Sequence, residues 1–258
     1  MPEGDTVYAT AHRLTEALGG VTLVRADLRH PRLSTADLTG RVFERAVSVG
    51  KHLFLRFGGE LSLHCHLGMD GSWRVYTGRA PVTYQTRAVL GVPGKTAVGN
   101  LLLEMALLST PDEHRLVDHL GPDLLSPDWS DADQAEAVRR LTADPSRGLG
   151  EALLDQTVMA GVGNVFKVEL CFLLRVTPWT PVSDVDAEKV VRWARKLLLA
   201  NRLNPVRNTT GDPRRGRSVW VYGRRRQGCL RCGGPVVHTP GDRISYHCPR
   251  CQRGPGPS

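Results

Sequence analysis

Four cysteines near the end of the chain restrict its possible folds more than any other feature. They follow the spacing C-x2-C-x15-C-x2-C, typical of tetrahedral zinc sites, and are Cys229, Cys232, Cys248 and Cys251. Each C-x2-C pair occupies a tight turn, so both pairs can face one ion while the intervening 15 residues fold back as a hairpin. Because so short a segment cannot form its own apolar core, the metal would organise it. The spacing predicts one structural Zn²⁺, and a redox-active dithiol is the alternative.

The same end of the chain is strongly basic. Residues 205–258 contain 11 Arg, no Lys and two acids, a net charge of +9, whereas the whole chain carries +8. Arginine forms bidentate contacts with phosphate, and charge confined to one end of a chain suits a polyanionic partner. A solvated basic tail is the alternative. The distribution of charge favours a nucleic acid as the partner.

The composition is that of a folded chain without a membrane segment. Its 258 residues are 41% hydrophobic, enough for sizeable cores. No N-terminal run resembles a signal peptide, and none reaches the roughly 20 apolar residues needed to span a bilayer, which predicts a cytoplasmic protein. Disulfides are uncommon in a reducing compartment. Cys65 and Cys171 lie in apolar surroundings and are therefore expected to be core residues.

The hydrophobic pattern predicts an α+β, multidomain chain. In residues 1–125, a helix over 5–18 precedes short runs separated by glycine-containing turns, which favours a β-sandwich with a flanking helix. The predicted strands are 41–49, 52–57, 60–64, 72–76 and 97–105.

In the remainder of the chain, the apolar residues recur at the spacing of an α-helix. Residues 126–216 show helical spacing, clearest over 150–159, 165–174 and 187–201. The first two helices are separated by a glycine-rich turn, Gly161-Val162-Gly163-Asn164. The cysteine hairpin would occupy 217–253, and the final residues, 254–258, are expected to fray.

The chain begins with MPEGDT. Proline is small enough for removal of Met1 to be expected, which exposes a secondary amine at Pro2 beside the carboxylate of Glu3. An N-terminal amine titrates near pH 8, so part of it is a free nucleophile at neutral pH. Its attack on a sugar aldehyde carbon gives an iminium ion, which is cationic without an added proton and acts as an electron sink. Most Met-Pro starts have no such role.

Four separated motifs together resemble the formamidopyrimidine-DNA glycosylase and endonuclease VIII family of base-excision repair enzymes. They are PEGDT at the start, Val49-Gly50-Lys51-His52, Gly161-Val162-Gly163-Asn164, and the cysteine hairpin with Arg243 five residues before Cys248. They span nearly the whole chain in the family's order. The first residues and the stretch HLGMDGSWRV over 66–75 are most similar to the actinobacterial endonuclease VIII group.

The resemblance implies a DNA glycosylase with AP lyase activity, built from a two-layer β-sandwich, a helix–two-turn–helix domain and a four-cysteine zinc hairpin. Pro2 would attack C1′ of the damaged nucleotide and hold the sugar as a Schiff base, and Glu3 would move protons to and from the sugar. Lys51 would contact phosphate and assist β-elimination, although by pattern alone it is a surface lysine. Arg243, at the hairpin tip, would bind phosphate and assist δ-elimination.

The implied partner is damaged DNA, without a membrane or a small-molecule cofactor. A nucleoid-associated monomer is the simplest expectation.

Gly163 would let its turn approach a phosphate, and Asn164 would cap the next helix and donate to phosphate at the positive end of the helix dipole. Because a glycosylase extrudes its target base, an apolar side chain must occupy the vacated stack. Met69, on an apparent loop, is the candidate, and filling a core gap is the alternative.

Two departures from the family bear on the substrate. Gly68-Met69-Asp70 stands where the best-known endonuclease VIII has Gln-Leu-Tyr, and residues 106–120 lack the Arg-Arg-Phe-Gly-type loop of the purine-preferring branch. We therefore expect removal of oxidised pyrimidines followed by β,δ-elimination. The alternatives are a purine-lesion glycosylase of the same family and a non-catalytic zinc-containing protein that binds damaged DNA.

Overall fold

The structure is a computed structural model that describes residues 2–241 and 243–257. The chain divides into two compact units, Met1–His119 and Leu120–Ser258. Across the described ranges, no helix combines the length and apolar character needed to cross a membrane. The finer division of the chain at 125 and at 216 stays a prediction.

The first unit begins with helix α1, Gly4–Leu18. Glu3 occupies the extended N-cap position, and its carbonyl oxygen accepts hydrogen bonds from Thr6 N at 2.9 Å and Val7 N at 3.1 Å. The apolar residues recur at helical spacing and form one buried face against the sheets. That face comprises Val7, Ala11, Leu14 and Leu18.

Two antiparallel sheets complete this unit. Their strands are β1 Val21–Thr22, β2 Arg25–Leu28, β3 Val42–Val49, β4 His52–Phe57, β5 Leu61–His66, β6 Ser72–Thr77, β7 Thr86–Val92, β8 Lys95–Asn100 and β9 Glu104–Ser109. One sheet has the order β1-β3-β4-β5-β9 and the other the order β2-β7-β8-β6. The register places His52 opposite His66 across β4 and β5.

The apolar core of this unit follows the two-residue period of its strands. Leu53, Leu55 and Phe57 alternate along β4 and are all fully buried. Cys65 joins the same cluster, and burial raises the pKa of its thiol well above the usual range. Cys171, in the second unit, is also fully buried, and burial raises its pKa to about 12. Both cysteines are core residues, as predicted.

The strand predicted over 97–105 is wrong as a single element. β8 ends at Asn100 and β9 begins at Glu104, with Leu101 between them in the left-handed region at φ 52°. Leu102 in this turn is 1% exposed, so the apolar run continues through the reversal and conceals it. Strands β1, β2 and β7 have no counterpart among the predicted strands. β7 is buried along nearly its whole length and therefore shows no alternation.

The second unit combines helices with a short hairpin. The helices are α2 Asp131–Leu141, α3 Leu149–Leu154, α4 Asn164–Leu174 and α5 Ala187–Asn201, and the hairpin strands are β10 Val237–Thr239 and β11 Ser245–His247. A capping box starts α2, because Ser130 Oγ accepts from Asp133 N and the Asp133 carboxylate accepts from Ser130 N. Helix α4 is buried from Asn164 to Phe172 and lies at the centre of the unit.

Helix α3 is shorter than the predicted 150–159. It ends at Leu154, because the Asp155 carboxylate accepts from the backbone N of Thr157 at 2.9 Å and from its hydroxyl at 2.6 Å, an Asx turn that replaces helical bonding. Gln156 then spans the next turn, donating to Val162 O and accepting from Gly161 N, each at 3.0 Å. These side chains fold the segment between α3 and α4 into turns.

The first residues of the expected frayed tail make contacts within the second unit. Thr177 Oγ1 donates to Pro255 O at 2.7 Å. Gly254 has φ +128°, and a Cβ at this position would lie 2.9 Å from Thr177 Oγ1. The backbone can follow this path only because residue 254 has no side chain. Ser258, the last residue of the expected tail, lies outside the described residues.

Candidate functional sites

The four hairpin cysteines meet at one point. Their sulfur atoms all lie within 4.8 Å of one another. The Sγ atoms of Cys232 and Cys248 are 3.5 Å apart, and those of Cys229 and Cys251 are 3.9 Å apart. A tetrahedral site with Zn–S bonds of about 2.3 Å has sulfurs roughly 3.8 Å apart. The arrangement therefore has the dimensions of a metal site.

The electrostatics of the cluster also favour a cation. Burial raises the pKa of Cys248 and raises that of Cys251 to about 12. The Gly234 N–H, 3.4 Å from the Cys232 sulfur, lowers the pKa of that thiol to about 7. Four adjacent thiols cannot all ionise without a compensating positive charge. The cluster can hold one metal ion, and its sulfur ligands fit Zn²⁺ chemistry.

A patch of apolar side chains supports this cluster. Val168 and Phe172 of α4 pack against Val221 in the segment before the hairpin. The Trp220 ring stacks on Phe172 with 5.5 Å between ring centres, and the Arg231 guanidinium lies 4.4 Å from the Phe172 ring centre. The segment 220–222 is thus the apolar support of the hairpin.

Glu169 is a buried carboxylate that the sequence pattern did not distinguish. It accepts hydrogen bonds from the backbone nitrogens of Trp220 at 2.7 Å, Val221 at 3.0 Å and Tyr222 at 2.9 Å, and from the Thr209 hydroxyl. Burial raises its pKa, while these donors stabilise the charged form. The contacts fix the support segment to α4. The sequence does contain a signal for this buried carboxylate, because Glu169 is the only acid in the apolar stretch VFKVELCFLL.

Asn164 and Gly163 lie at the start of α4. Gly163 is the N-cap, and no side chain caps the helix, which differs from the expected cap by Asn164. Instead, Asn164 Nδ2 donates to Ile244 O at 2.9 Å, and its buried Oδ1 has no hydrogen-bond partner. One turn further, Lys167 Nζ donates to Ser245 Oγ at 2.8 Å. Helix α4 therefore holds the start of β11 in position.

Arg243 is exposed in the turn between β10 and β11, the tip at which the sequence places it. Its neighbour Asp242 lies outside the described residues. The turn borders a cavity of about 570 Å³ lined by Arg243, Lys167 and Trp179, with Glu151 as an acidic lining residue. A guanidinium and an ammonium group at one cavity favour an anionic ligand.

In the first unit, Pro2 and Glu3 directly precede α1. Pro2 is half-buried, and Glu3 is fully buried at the helix N-cap, where the helix dipole favours a negative charge. Lys51 is half-buried in the tight turn between β3 and β4, next to Gly50, whose φ is +57°. Pro2, the predicted nucleophile, is therefore followed in the chain by the buried carboxylate of Glu3.

A group of histidines follows Lys51 and was not among the predicted site residues. His52 Nδ1 lies 3.0 Å from His64 Nε2, and the ring of His66 is 5.5 Å from that of His52. Burial, reinforced by the neighbouring imidazoles, lowers the pKa values of His52 and His64 to about 4. Both are therefore neutral at pH 7. Histidines two residues apart on β5 are the sequence signal for this cluster.

This histidine pair should make the protein less stable in acid. Because their folded-state pKa values lie below the ordinary value of 6.5, the unfolded chain binds more protons, and the free energy of unfolding falls as the pH drops from 6.5 towards 4. Between pH 7 and pH 4.5 the loss should be on the order of 2 kcal/mol per histidine. Urea unfolding at pH 7 and pH 4.5 measures it.

His64→Phe should reduce this pH dependence. His12→Gln, at an exposed position of α1, is the matched control and should leave it unchanged. An equal dependence in wild type and His64→Phe would contradict the assignment.

Met69 lies in the turn between β5 and β6 and is 51% exposed, so it does not fill a core gap. Gly68, at φ +58°, donates from its backbone N to His66 Nδ1 at 3.1 Å. Gly71 N donates to Leu67 O at 2.8 Å and closes the turn. The turn therefore presents Met69 from a hydrogen-bonded frame.

Solved structures identify the fold of this chain. Lactococcus lactis Fpg, solved with DNA that contains an abasic site, matches with a TM-score of 0.81 at 20% identity over 98% of this chain and 100% of that chain. A complex of LlFpg with THF-DNA and an inhibitor gives a TM-score of 0.82 at 21% identity, with the same coverage. The chain has the Fpg fold, and the predicted fold class is confirmed.

Sequence comparisons then give the family. Residues 1–99 match the formamidopyrimidine-DNA glycosylase N-terminal domain. A Streptomyces coelicolor protein named probable endonuclease 8 2 is 51% identical over 100% of this chain and 96% of its own length. The Mycolicibacterium smegmatis DNA-(apurinic or apyrimidinic site) lyase Nei2 is 47% identical over 98% of this chain and 99% of its own. The chain belongs to the formamidopyrimidine-DNA glycosylase and endonuclease VIII family, which confirms the resemblance, including that to the actinobacterial group.

Proposed function

We propose that this chain is a DNA glycosylase and AP lyase that removes oxidised pyrimidines and then cleaves the abasic site by β,δ-elimination. The observation that carries the proposal is the 51% identity, over the whole chain, with a protein named probable endonuclease 8 2. The lyase part is supported by a relative named for cleavage at apurinic or apyrimidinic sites.

The nitrogen of Pro2, exposed by removal of Met1, attacks C1′ of the damaged nucleotide. A bond between this nitrogen and C1′ forms while the glycosidic bond breaks, and its electron pair leaves with the base, which takes up a proton. The attacking nitrogen loses its proton to the Glu3 carboxylate, and the sugar ring opens as Glu3 passes that proton to the ring oxygen, leaving an iminium between Pro2 and C1′. Glu3 directly follows Pro2 in the chain and is fully buried, which supports its assignment to this step.

The iminium drives the two strand cleavages. Its positive charge acidifies the C2′ proton, and loss of that proton expels the 3′ phosphate as the electron pair forms the C2′–C3′ double bond. The conjugated system then acidifies the C4′ proton, and its loss expels the 5′ phosphate. The product is a gap with phosphate at both ends, and the enzyme is recovered when water hydrolyses the Schiff base.

Three polar side chains would hold the phosphates of the DNA backbone. Lys51 does so from the β3–β4 turn and assists β-elimination, and Arg243 does so from the hairpin tip and assists δ-elimination. Asn164 and the backbone at Gly163 are assigned to a phosphate at the N-terminus of α4, where the helix dipole favours an anion. Their contributions should weaken steeply with salt, because phosphate binding releases counterions.

The metal of the hairpin is proposed to be one structural zinc ion held by Cys229, Cys232, Cys248 and Cys251. Its chemistry is to bind four thiolates and so fold a segment that is too small to fold alone. Four thiolates would complete the coordination of the ion, so the ion would fold the hairpin and position Arg243 without binding substrate.

The substrate assignment is tested by nicking assays under single-turnover conditions. Duplexes with one 5-hydroxyuracil should be cut at least about tenfold faster than duplexes with 8-oxoguanine opposite cytosine, since the chain lacks the loop of the purine-preferring branch. A duplex with a preformed abasic site measures the lyase step separately. Faster cutting of 8-oxoguanine would favour the purine-lesion alternative, and binding without any nicking would favour the non-catalytic one.

A further inference from the structure

Strand β6, Ser72–Thr77, lies at the edge of the sheet with the order β2-β7-β8-β6. It pairs with β8 along its whole length, and in the described part of the chain no other strand pairs with it. Every second residue of an edge strand directs its backbone N–H and C=O groups away from the sheet, where another extended chain can pair with them. Residues 72–77 contain neither lysine nor proline, which often protect such edges.

A cavity of about 360 Å³ lies between β6 and helix α1. The helix contributes Thr10, Leu14 and Ala17, which are three or four residues apart and therefore share one helix face. The strand contributes Trp73 and Val75, which are two residues apart and therefore share one strand face. A volume of this size is within the range of pockets that bind small ligands, so it can receive side chains of a bound peptide.

The border of this cavity carries positive charge. Arg13 of α1 and Arg74 of β6 are exposed there, and neither forms an ion pair with any residue of 2–241 or 243–257. Glu16, the acidic lining residue, has a partner of its own, because its carboxylate lies 3.2 Å from His12 Nδ1. Guanidinium groups without carboxylate partners beside an apolar cavity favour a ligand that combines carboxylates with apolar groups.

The alternation along β6 defines the sequence pattern of a matching peptide. Trp73 and Val75 line the cavity, and Arg74, between them in the chain, projects to the opposite face of the strand. Residues directly opposite each other on paired strands lie on the same face and contact one another. A strand added to β6 would therefore place apolar side chains in the cavity and acidic side chains opposite Arg74.

We propose that the outer side of β6 is a docking site for an extended segment of a partner protein in which apolar and acidic residues alternate. The segment pairs with the β6 backbone as an added strand, its apolar side chains enter the cavity, and its carboxylates pair with Arg74 and Arg13. In this mode of recognition main-chain hydrogen bonds supply affinity, and the pockets for alternate side chains supply specificity. This docking site goes beyond the proposed glycosylase reaction and does not depend on it.

The probe is a fluorescein-labelled heptapeptide in which four glutamates alternate with three leucines. Fluorescence anisotropy at fixed ionic strength measures its binding to the full chain, and a peptide with lysine in place of glutamate should bind at least about tenfold more weakly. Two further peptides carry N-methyl groups, one on the glutamates and one on the leucines. Their affinities should differ by about tenfold, because only one set of nitrogens faces β6 in an added strand.

Charge reversal on the protein gives a complementary test. Arg74→Glu should bind the glutamate peptide about tenfold more weakly and the lysine peptide about threefold more tightly than wild type does. The gain in binding shows that the variant is folded. Arg32→Glu, which reverses another exposed arginine of the first unit, is the matched control and should behave as wild type with both peptides.

Absence of binding at about 1 mM glutamate peptide would overturn the docking site. Equal affinities of the two N-methylated peptides would exclude strand addition, and equal affinities of the glutamate and lysine peptides would exclude recognition of acidic residues. If a duplex with a tetrahydrofuran abasic analogue displaced the peptide and bound Arg74→Glu about tenfold more weakly, this surface would belong to DNA instead. Arg74→Glu should nick abasic DNA as wild type does, and failure of the proposed reaction would leave peptide binding unchanged.

Discussion

Converting the Pro2 nitrogen into an amide should abolish covalent trapping on DNA. An alanine inserted between Met1 and Pro2 moves the free amine by one residue and leaves the proline nitrogen without a nucleophilic electron pair. With borohydride and abasic DNA, the adduct should fall by more than about 100-fold relative to wild type. Gel electrophoresis of the reduced protein–DNA complex measures the loss.

Pro2→Ala gives a graded comparison with that variant. It retains an N-terminal amine, but a primary one, whose imine needs an added proton before it can act as an electron sink. We expect a reduced but detectable adduct. Circular dichroism and zinc content should match wild type in both variants, and an undiminished adduct in the insertion variant would exclude Pro2 as the nucleophile.

The features that the sequence predicted best are those set by local geometry. The C-x2-C pairs predicted the cysteine cluster because each pair occupies one tight turn, and the four sulfurs do lie within 4.8 Å of one another. Helix α1 was predictable because its apolar residues repeat at 3.6-residue spacing from Val7 to Leu18. Strand β4 was predictable as a short apolar run between glycine-containing turns.

Contacts between distant parts of the chain were not predictable in the same way. Asn164 was expected to cap its own helix, yet its amide donates to Ile244, 80 residues further on. Glu169 accepts from Trp220, 51 residues away, and nothing local in α4 specifies that partner. The apolar run through Leu102 concealed a turn, because a buried turn residue and a buried strand residue look alike in sequence.

These long-range contacts converge on one helix. Helix α4 anchors the support segment through Glu169 and the start of β11 through Asn164 and Lys167. The hairpin is therefore fixed at its base by side chains of the second unit, while the cysteine cluster closes it from within. Loss of the metal should release the hairpin tip without unfolding α4, because that helix also packs against α3 and α5.

Cys248→Ser and Arg243→Ala should therefore have different effects, the first on zinc content and the second on the reaction products. Cys248 is fully buried, and its replacement removes one of four ligands, so zinc content should fall from about one ion per chain to well under half, with DNA affinity falling in parallel. Cys171→Ser, which alters a buried cysteine outside the cluster, is the control and should keep zinc. Atomic absorption and binding to abasic-analogue DNA measure the two effects.

Arg243→Ala should keep zinc and change the products. Without a guanidinium at the hairpin tip, expulsion of the second phosphate loses its stabilising cation, so δ-elimination should slow about tenfold or more while β-elimination products accumulate. Arg226→Ala removes an exposed arginine elsewhere in the basic segment and should leave the ratio of products unchanged. A residue positioned for the second elimination must alter that step without altering the metal site. If Arg243→Ala lost zinc, or gave the same products as wild type, the hairpin would therefore serve only to bind DNA.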